Sequence, residues 1–218
     1  MAYSYDTLEL VVEMPLPIHE ALVKIINKEV EDADTILRAC IPAGVLTYDS
    51  HTNLRVVAEQ MSFIPDCLHI VQSVTFPNEK HVVVIGEVAF SQPEADLRER
   101  LRFAIKAQPE VIMVIMATIT ELSPYATARP KSSAWQTLCD ESSVRSQSSF
   151  FSECTVVNSS SNVPPSEIVV HGHKWFSLES VRFQIWVKCG NNPIDLDTTD
   201  STVTLTARGV SIFNTYVG

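Results

Sequence analysis

The chain has 218 residues, 45% hydrophobic and 19% charged, which is enough apolar matter for the core of one domain, or of one domain with an appendage. Its formal net charge of −10 sets most of the surface against a polyanion, so nucleic acid is a disfavoured partner and a protein partner the easier one. No run approaches the roughly 20 apolar residues of a membrane-spanning helix, the start lacks the order of a secretory signal, and five scattered cysteines form no C-x-x-C pair; an intracellular protein, cytoplasmic or nuclear, with reduced thiols is expected.

Leu8 to Glu13 reads as a short strand or arm, closed by Pro15 and Pro17. Pro17 suits a first helical turn because it has no amide to leave unbonded. A helix is predicted from Ile18 to about Asp32, with Ile18, Leu22 and Ile25 on one stripe, Ile26 on its shoulder, and Glu20, Lys24, Asn27 and Glu31 opposite. Glu29 returns to the centre of that apolar stripe, an unusual place for a carboxylate. Ile36 to Tyr48 reads as extended chain and Asp49 to Asn53 as a turn. Leu54 to Gln60 fits a strand or a helix equally well.

Asp66 opens the strand Cys67-Leu68-His69-Ile70-Val71, and Pro77 to Lys80 turns into a second strand, His81 to Phe90, so a hairpin is predicted. Ser91, Pro93 and Glu94 start a helix that runs from about Gln92 to Gln108, with Leu97, Leu101, Ala104 and Ile105 as its buried face. Val111 to Thr120 is apolar throughout, as in a strand covered on both sides. Three parts follow from this order. Residues 1–125 form an α/β core, 126–165 a serine-rich, poorly ordered excursion with at most one short helix, and 166–218 a β-rich part packing on the same domain. Within the last part Ile168 to Val170, Val181 to Val187 and Thr202 to Phe213 read as strands.

Glu87 interrupts an apolar strand, where a charge is costly unless it is paired or metal-bound. Asp66 at the head of one strand and Glu87 near the end of the next, followed by a helix and a third strand, make a β-β-α-β unit. That unit, with Ile64-Pro65-Asp66 and Glu87-Val88-Ala89, resembles the core of the PD-(D/E)xK nuclease-like superfamily. Gly86 to Gln92 also resembles a divergent, fungal-type variant of that core, in which a later strand carries a buried tryptophan comparable to Trp175 or Trp186. The resemblance implies an α/β fold: a mixed sheet with a restriction-endonuclease-like β-β-α-β core flanked by helices, plus a β-rich C-terminal extension.

It also implies a site. Asp66 and Glu87 would be catalytic carboxylates holding Mg²⁺, with the Val88 carbonyl as a further ligand and Glu29 as the acid from the preceding helix. Where the pattern has lysine this sequence has Ala89. Gln92, Arg98 and Lys106 are the nearest stand-ins, and Gln92 is taken with the site. Two functions are implied: a divergent nuclease-like protein whose metal-dependent phosphodiester hydrolysis is weak or lost, and a non-catalytic protein-interaction module on the same scaffold. Arg98, Arg100, Arg102 and Lys106 cluster on the second helix and leave room for a local basic patch. His171 and His173 have a spacing that would put two imidazoles on one strand face, but no third ligand is recognisable near them, and a chance pair in a loop is the reading expected. No nucleophile elbow or phosphate-binding glycine loop occurs.

Overall fold

The computed structural model describes residues 2–4, 9–11, 17–38, 44–52, 54–57, 61–90, 92–123, 126–139, 154–157 and 167–212. The chain forms two compact units, Met1–Thr118 with Phe183–Gly209, and Ile119–Arg182 with Val210–Gly218. The fold is mixed α/β. Among the described residues no helix is long and apolar enough to cross a membrane.

In the first unit α1 (Pro17–Arg38) opens on Pro17 and continues six residues past Asp32, through part of the stretch expected to be extended. It buries Leu22, Val23, Ile26 and Val30, with Asn27 among them, and packs against the strands β6 (Cys67–Ser73) and β7 (Lys80–Phe90). Ile25 is 53% exposed, and Glu29 is exposed as well. The buried stripe therefore lies roughly one residue step of 100° away from the predicted line. Leu22, Val23, Ile26 and Val30 offer a contiguous apolar set, whereas the line through Ile25 ends on charged Glu29. Both expectations for this helix fall together: Glu29 is not on the buried face, and Asn27 is.

Three antiparallel strands follow. β3 (Leu46–His51) absorbs most of the expected Asp49 to Asn53 turn. It pairs with β6 (Cys67–Ser73) from Leu46 opposite Ser73 to His51 opposite Leu68. β6 pairs in turn with β7 (Lys80–Phe90), with Cys67 opposite Gly86 and a register shift between His69 and Ile70, as the predicted hairpin requires. A separate small sheet has the order β2-β1-β5-β4. It contains β1 (Ala2–Ser4), β2 (Glu9–Val11), β4 (Val56–Val57) and β5 (Met61–Phe63), and the undecided Leu54 to Gln60 stretch contributes β4 to it.

Next comes α2 (Glu94–Ala107), whose buried residues are Leu97, Leu101, Ala104 and Ile105, as predicted. Its N-terminal flank, Pro93, makes no side-chain cap, and Ser91, expected at the helix start, lies outside the described residues. β8 (Met113–Glu121) then lies beside β7. Ile112 N donates to Val83 O (3.0 Å), so the two strands begin together and run the same way, while Lys188 N donates to Ile112 O (2.9 Å) from the far end of the next strand. That strand is β11 (His173–Lys188), far longer than the Val181 to Val187 expected. The unit's sheet order is β3-β6-β7-β8-β11, with β12 (Thr204–Ile212) alongside β11. Because side chains alternate across a strand, Ile85 and Ala89 of β7 share one face, with Glu87 between them. Ile85 and Ala89 join Leu97, Leu101, Val114, Met116 and Trp186 in one core.

The second unit holds the end of β8, α3 (Ser133–Cys139), β9 (Cys154–Val157), β10 (Glu167–Val170) and the first half of β11. β9, β10 and β11 are antiparallel neighbours. α3 and β9 fall within 126–165, where one short helix was expected. Residues 140–153 and 158–166, on which the expectation of poor order rests, lie outside the described residues. Val170 faces His173 across a two-residue turn in which His171 (φ 51°) and Gly172 (φ 71°) both have positive φ, the type I′ geometry that matches strand twist.

Candidate functional site

Asp66 stands at the head of β6, one position before Cys67, and Glu87 follows Gly86 on β7, so the register sets the two acids at neighbouring positions. Asp66 Oδ2 accepts the Val88 amide hydrogen at 2.7 Å. His19 of α1 approaches the same oxygen through Nε2 at 3.2 Å, and its side chain is 14% exposed. The short polar side chain of Asp66 thus bonds across to the backbone of β7 and to the first turn of α1. His19 Nδ1 lies 3.5 Å from Glu20 Oε1. The hydrogen bond to Asp66 raises the His19 pKa, against the opposing effect of burial, with the Asp66 and Glu20 charges adding to the rise.

Glu87 is 2% exposed on the face of β7 that α2 covers. A carboxylate there needs a counter-charge, and α2 supplies it. Arg100 Nη2 lies 3.5 Å from Glu87 Oε2, and the same nitrogen donates to Gln92 Oε1 at 2.7 Å. Arg100 can reach inward because it sits three residues after Leu97 and one before Leu101, on the margin of the buried stripe. Between the two acids Cys67 is buried opposite Gly86; burial first, then the Asp66 and Glu87 charges, pushes its thiol pKa up.

The expected residues divide. Asp66 meets Val88, and Glu87 and Gln92 meet on the same nitrogen of Arg100. Val88 is engaged through its amide, which bonds Asp66. Glu29 does not join them; it is exposed on α1. Ala89, where the resemblance led one to look for a lysine, is fully buried in the core. Arg98 does not serve as a stand-in for that lysine either. It bonds Glu94 (3.0 Å), buried Gln184 (2.8 Å) and Leu196 O (3.2 Å), and lies over the Trp186 ring at 5.2 Å. Lys106 is exposed. His171 is a turn residue and His173 bonds Ala126 O (3.0 Å), so the two imidazoles do not share a strand face, in line with the expected chance pair in a loop.

His19 and Arg100 are the functional-site residues that sequence reasoning passed over. The signal for Arg100 was present, since a buried Glu87 demands a cation and α2 is the element that covers it. His19 carried no such signal.

The residues brought together do not fit Mg²⁺ well. That ion takes an octahedral shell of oxygens at about 2.1 Å. Here two carboxylates are available, one already accepting from two nitrogen groups and the other facing a guanidinium. Among the described residues no group of three or more His, Cys, Asp or Glu could hold a metal ion. What the site presents is two acids on neighbouring strands, Asp66 beside His19 of α1 and Glu87 beside Arg100 of α2. Comparison with family models, curated proteins and solved structures finds no match to this chain.

Proposed function

We propose that the chain is a divergent PD-(D/E)xK nuclease-like protein in which phosphodiester hydrolysis is lost and the scaffold serves as a module for binding another protein. The observation that carries this is Ala89. The superfamily that the sequence resembles has a lysine there to activate water and offset transition-state charge. Ala89 is 0% exposed and packed among Ile85, Leu97 and Leu101, so no cation reaches the position from this strand. The order β3-β6-β7-β8 around α2, with Asp66 beside Glu87, supports the nuclease-like origin.

Loss of nucleic-acid binding has its own support. Arg98 is engaged by Glu94 and Gln184, Arg100 by Gln92 and Glu87, and Arg102 by Asp197. The three arginines of α2 are therefore engaged by the chain's own acids and glutamines, on a protein of net charge −10. An intracellular setting, cytoplasmic or nuclear, accords with Cys67 and Cys189 being free thiols.

The test is incubation with supercoiled plasmid, single-stranded DNA and RNA, with Mg²⁺ and with Mn²⁺. Cleavage no faster than by the Glu87→Gln variant is expected, together with no saturable binding of labelled nucleic acid at low salt. Metal-dependent cleavage that disappears in Asp66→Asn and Glu87→Gln would overturn the proposal.

A further inference from the structure

On the reading above, in which the scaffold binds another protein, we infer that the turn leading into α3 is a docking surface for an acidic segment of that partner. Arg129, Lys131 and Trp135 would hold the segment, and all three lie in the second unit. Three observations carry this.

The first is charge. The formal net charge is −10, yet the sequence from Leu122 to Cys139 has no aspartate or glutamate, and its cations are Arg129 and Lys131. Both are exposed, and neither forms an ion pair with a described residue. They differ in this from Arg98, Arg100 and Arg102 of α2, which the chain's own side chains engage. The second is Trp135, in the first turn of α3 and 40% exposed. An indole beside cations is the pairing that anchors protein contacts, because it gains by being covered while the charges select what covers it.

The third is the way the turn is built. Ala128 and Ala134 are buried at its two ends, 4% and 1% exposed, so the residues between them are tacked down. Ser132 N donates to Arg129 O (3.0 Å), and Ser132 Oγ accepts from Trp135 N (3.2 Å). Ser133 Oγ donates to His171 O (2.9 Å), which ties the turn to the one between β10 and β11. Lys131 has φ 69°, a left-handed conformation that is costly for a lysine. The cations and the indole are therefore carried on a fixed turn, not on a solvated tail. A nucleic acid would also meet these cations, but a long polyanion is opposed by the charge of the whole chain, whereas a short acidic segment needs only the local patch.

The probe is a short, fluorescently labelled peptide of alternating glutamate and leucine, with a labelled oligothymidylate of equal length beside it. Binding to the full chain is read by fluorescence anisotropy at about 0.1 M salt, where a screening length of about 10 Å leaves the patch effective and mutes the rest of the surface. Saturable binding of the peptide by wild type is expected. It should weaken about three- to tenfold in Arg129→Gln/Lys131→Asn, and at least about threefold in Trp135→Ala. Lys24→Gln/Arg208→Gln removes two exposed cations from the first unit and should bind as wild type does.

No saturable binding by wild type would overturn the inference. Equal weakening in the control pair, or a tighter hold on the oligonucleotide than on the peptide, would do the same. Asparagine accepts a left-handed conformation better than lysine, so Arg129→Gln/Lys131→Asn is expected to fold. If it does not, Arg129→Gln alone decides: a loss of at least about twofold supports the surface, and unchanged affinity overturns it. The two proposals fail separately. Nucleic-acid cleavage by wild type defeats the proposed loss of hydrolysis, whereas failure of the peptide test removes this surface and leaves the lost hydrolysis standing.

Discussion

Gly86→Ala is the substitution in which geometry most directly sets the outcome. A Cβ added at Gly86 would meet Cys67 Sγ at 2.0 Å, while its next neighbours, Cys67 Cβ at 3.7 Å and Ile115 Cβ at 3.8 Å, are ordinary contacts. Sγ would have to retreat by roughly 1.5 Å to reach van der Waals distance. Cys67 is 1% exposed and its sulfur is a single bond from Cβ, so the retreat must come from χ1 or from the backbone of β6. Overpacking of this kind costs about 1–3 kcal/mol, and the upper end is expected because the cross-strand pair cannot separate without disturbing β6 and β7.

For a chain of this length, about 3 kcal/mol corresponds to a fall in melting temperature of roughly 6–12 °C. Cys67→Ala removes the obstructing atom and by itself costs about 1–2 kcal/mol in lost burial. The double variant Gly86→Ala/Cys67→Ala should therefore be no less stable than Cys67→Ala alone, giving a coupling of about 2–3 kcal/mol between the two sites. Urea denaturation of all four proteins, followed by far-UV circular dichroism, measures the cycle. Additive costs, or a Gly86→Ala protein as stable as wild type, would show that the close approach of the two strands is not what glycine secures here. Asp66 and Glu87 flank this pair, so the approach also holds the acidic site together.

Further outcomes follow from the same packing. Ala89→Lys should destabilise the protein by several kcal/mol, because it puts a long cation at a fully buried core position; a stable, folded variant in a denaturant melt would refute that placement. Arg98→Met removes the donor to Gln184, which is 4% exposed, and should cost about 2–3 kcal/mol, whereas a cost under about 0.5 kcal/mol would mean the network is incidental. His69 is fully buried with its pKa lowered by burial to about 4, so the unfolded chain binds a proton there below pH 6.5 while the folded chain does not. Stability should fall by roughly 3 kcal/mol between pH 6.5 and 4 on this account, and the acid-side slope should lessen in His69→Gln. His19 has the opposite sign: its raised pKa contributes stability below 6.5 that is lost as pH rises through the folded value. Nuclear magnetic resonance titration should find its pKa lower in Asp66→Asn than in wild type; an unchanged value would remove Asp66 as the cause.

Local pattern alone was enough to determine the elements around the acidic pair. The apolar runs of β7 and β8, the 3.6-residue stripe of α2 and the Pro77 to Lys80 turn each encode their structure over a few residues, and each formed as expected. The sequence also determined that Glu87 would need compensation, since a charge in an apolar strand is costly wherever that strand ends up. It did not determine which group would supply the compensation.

Tertiary structure decided that. Arg100 and Glu87 are thirteen residues apart and His19 and Asp66 forty-seven, and such pairs meet only when α1 and α2 are docked on particular strand faces. The docking of α1 was itself undecided by its periodicity. Two apolar lines one residue step apart compete on that helix, and contact with β6 and β7 selected the one through Ile26 and Val30, leaving Glu29 outside. Spacing alone allowed His171 and His173 a common strand face as well as a loop, and the two-residue turn between β10 and β11 decides for the loop. Periodicity fixes which residues can share a face; only the packing of distant elements fixes which charge meets which.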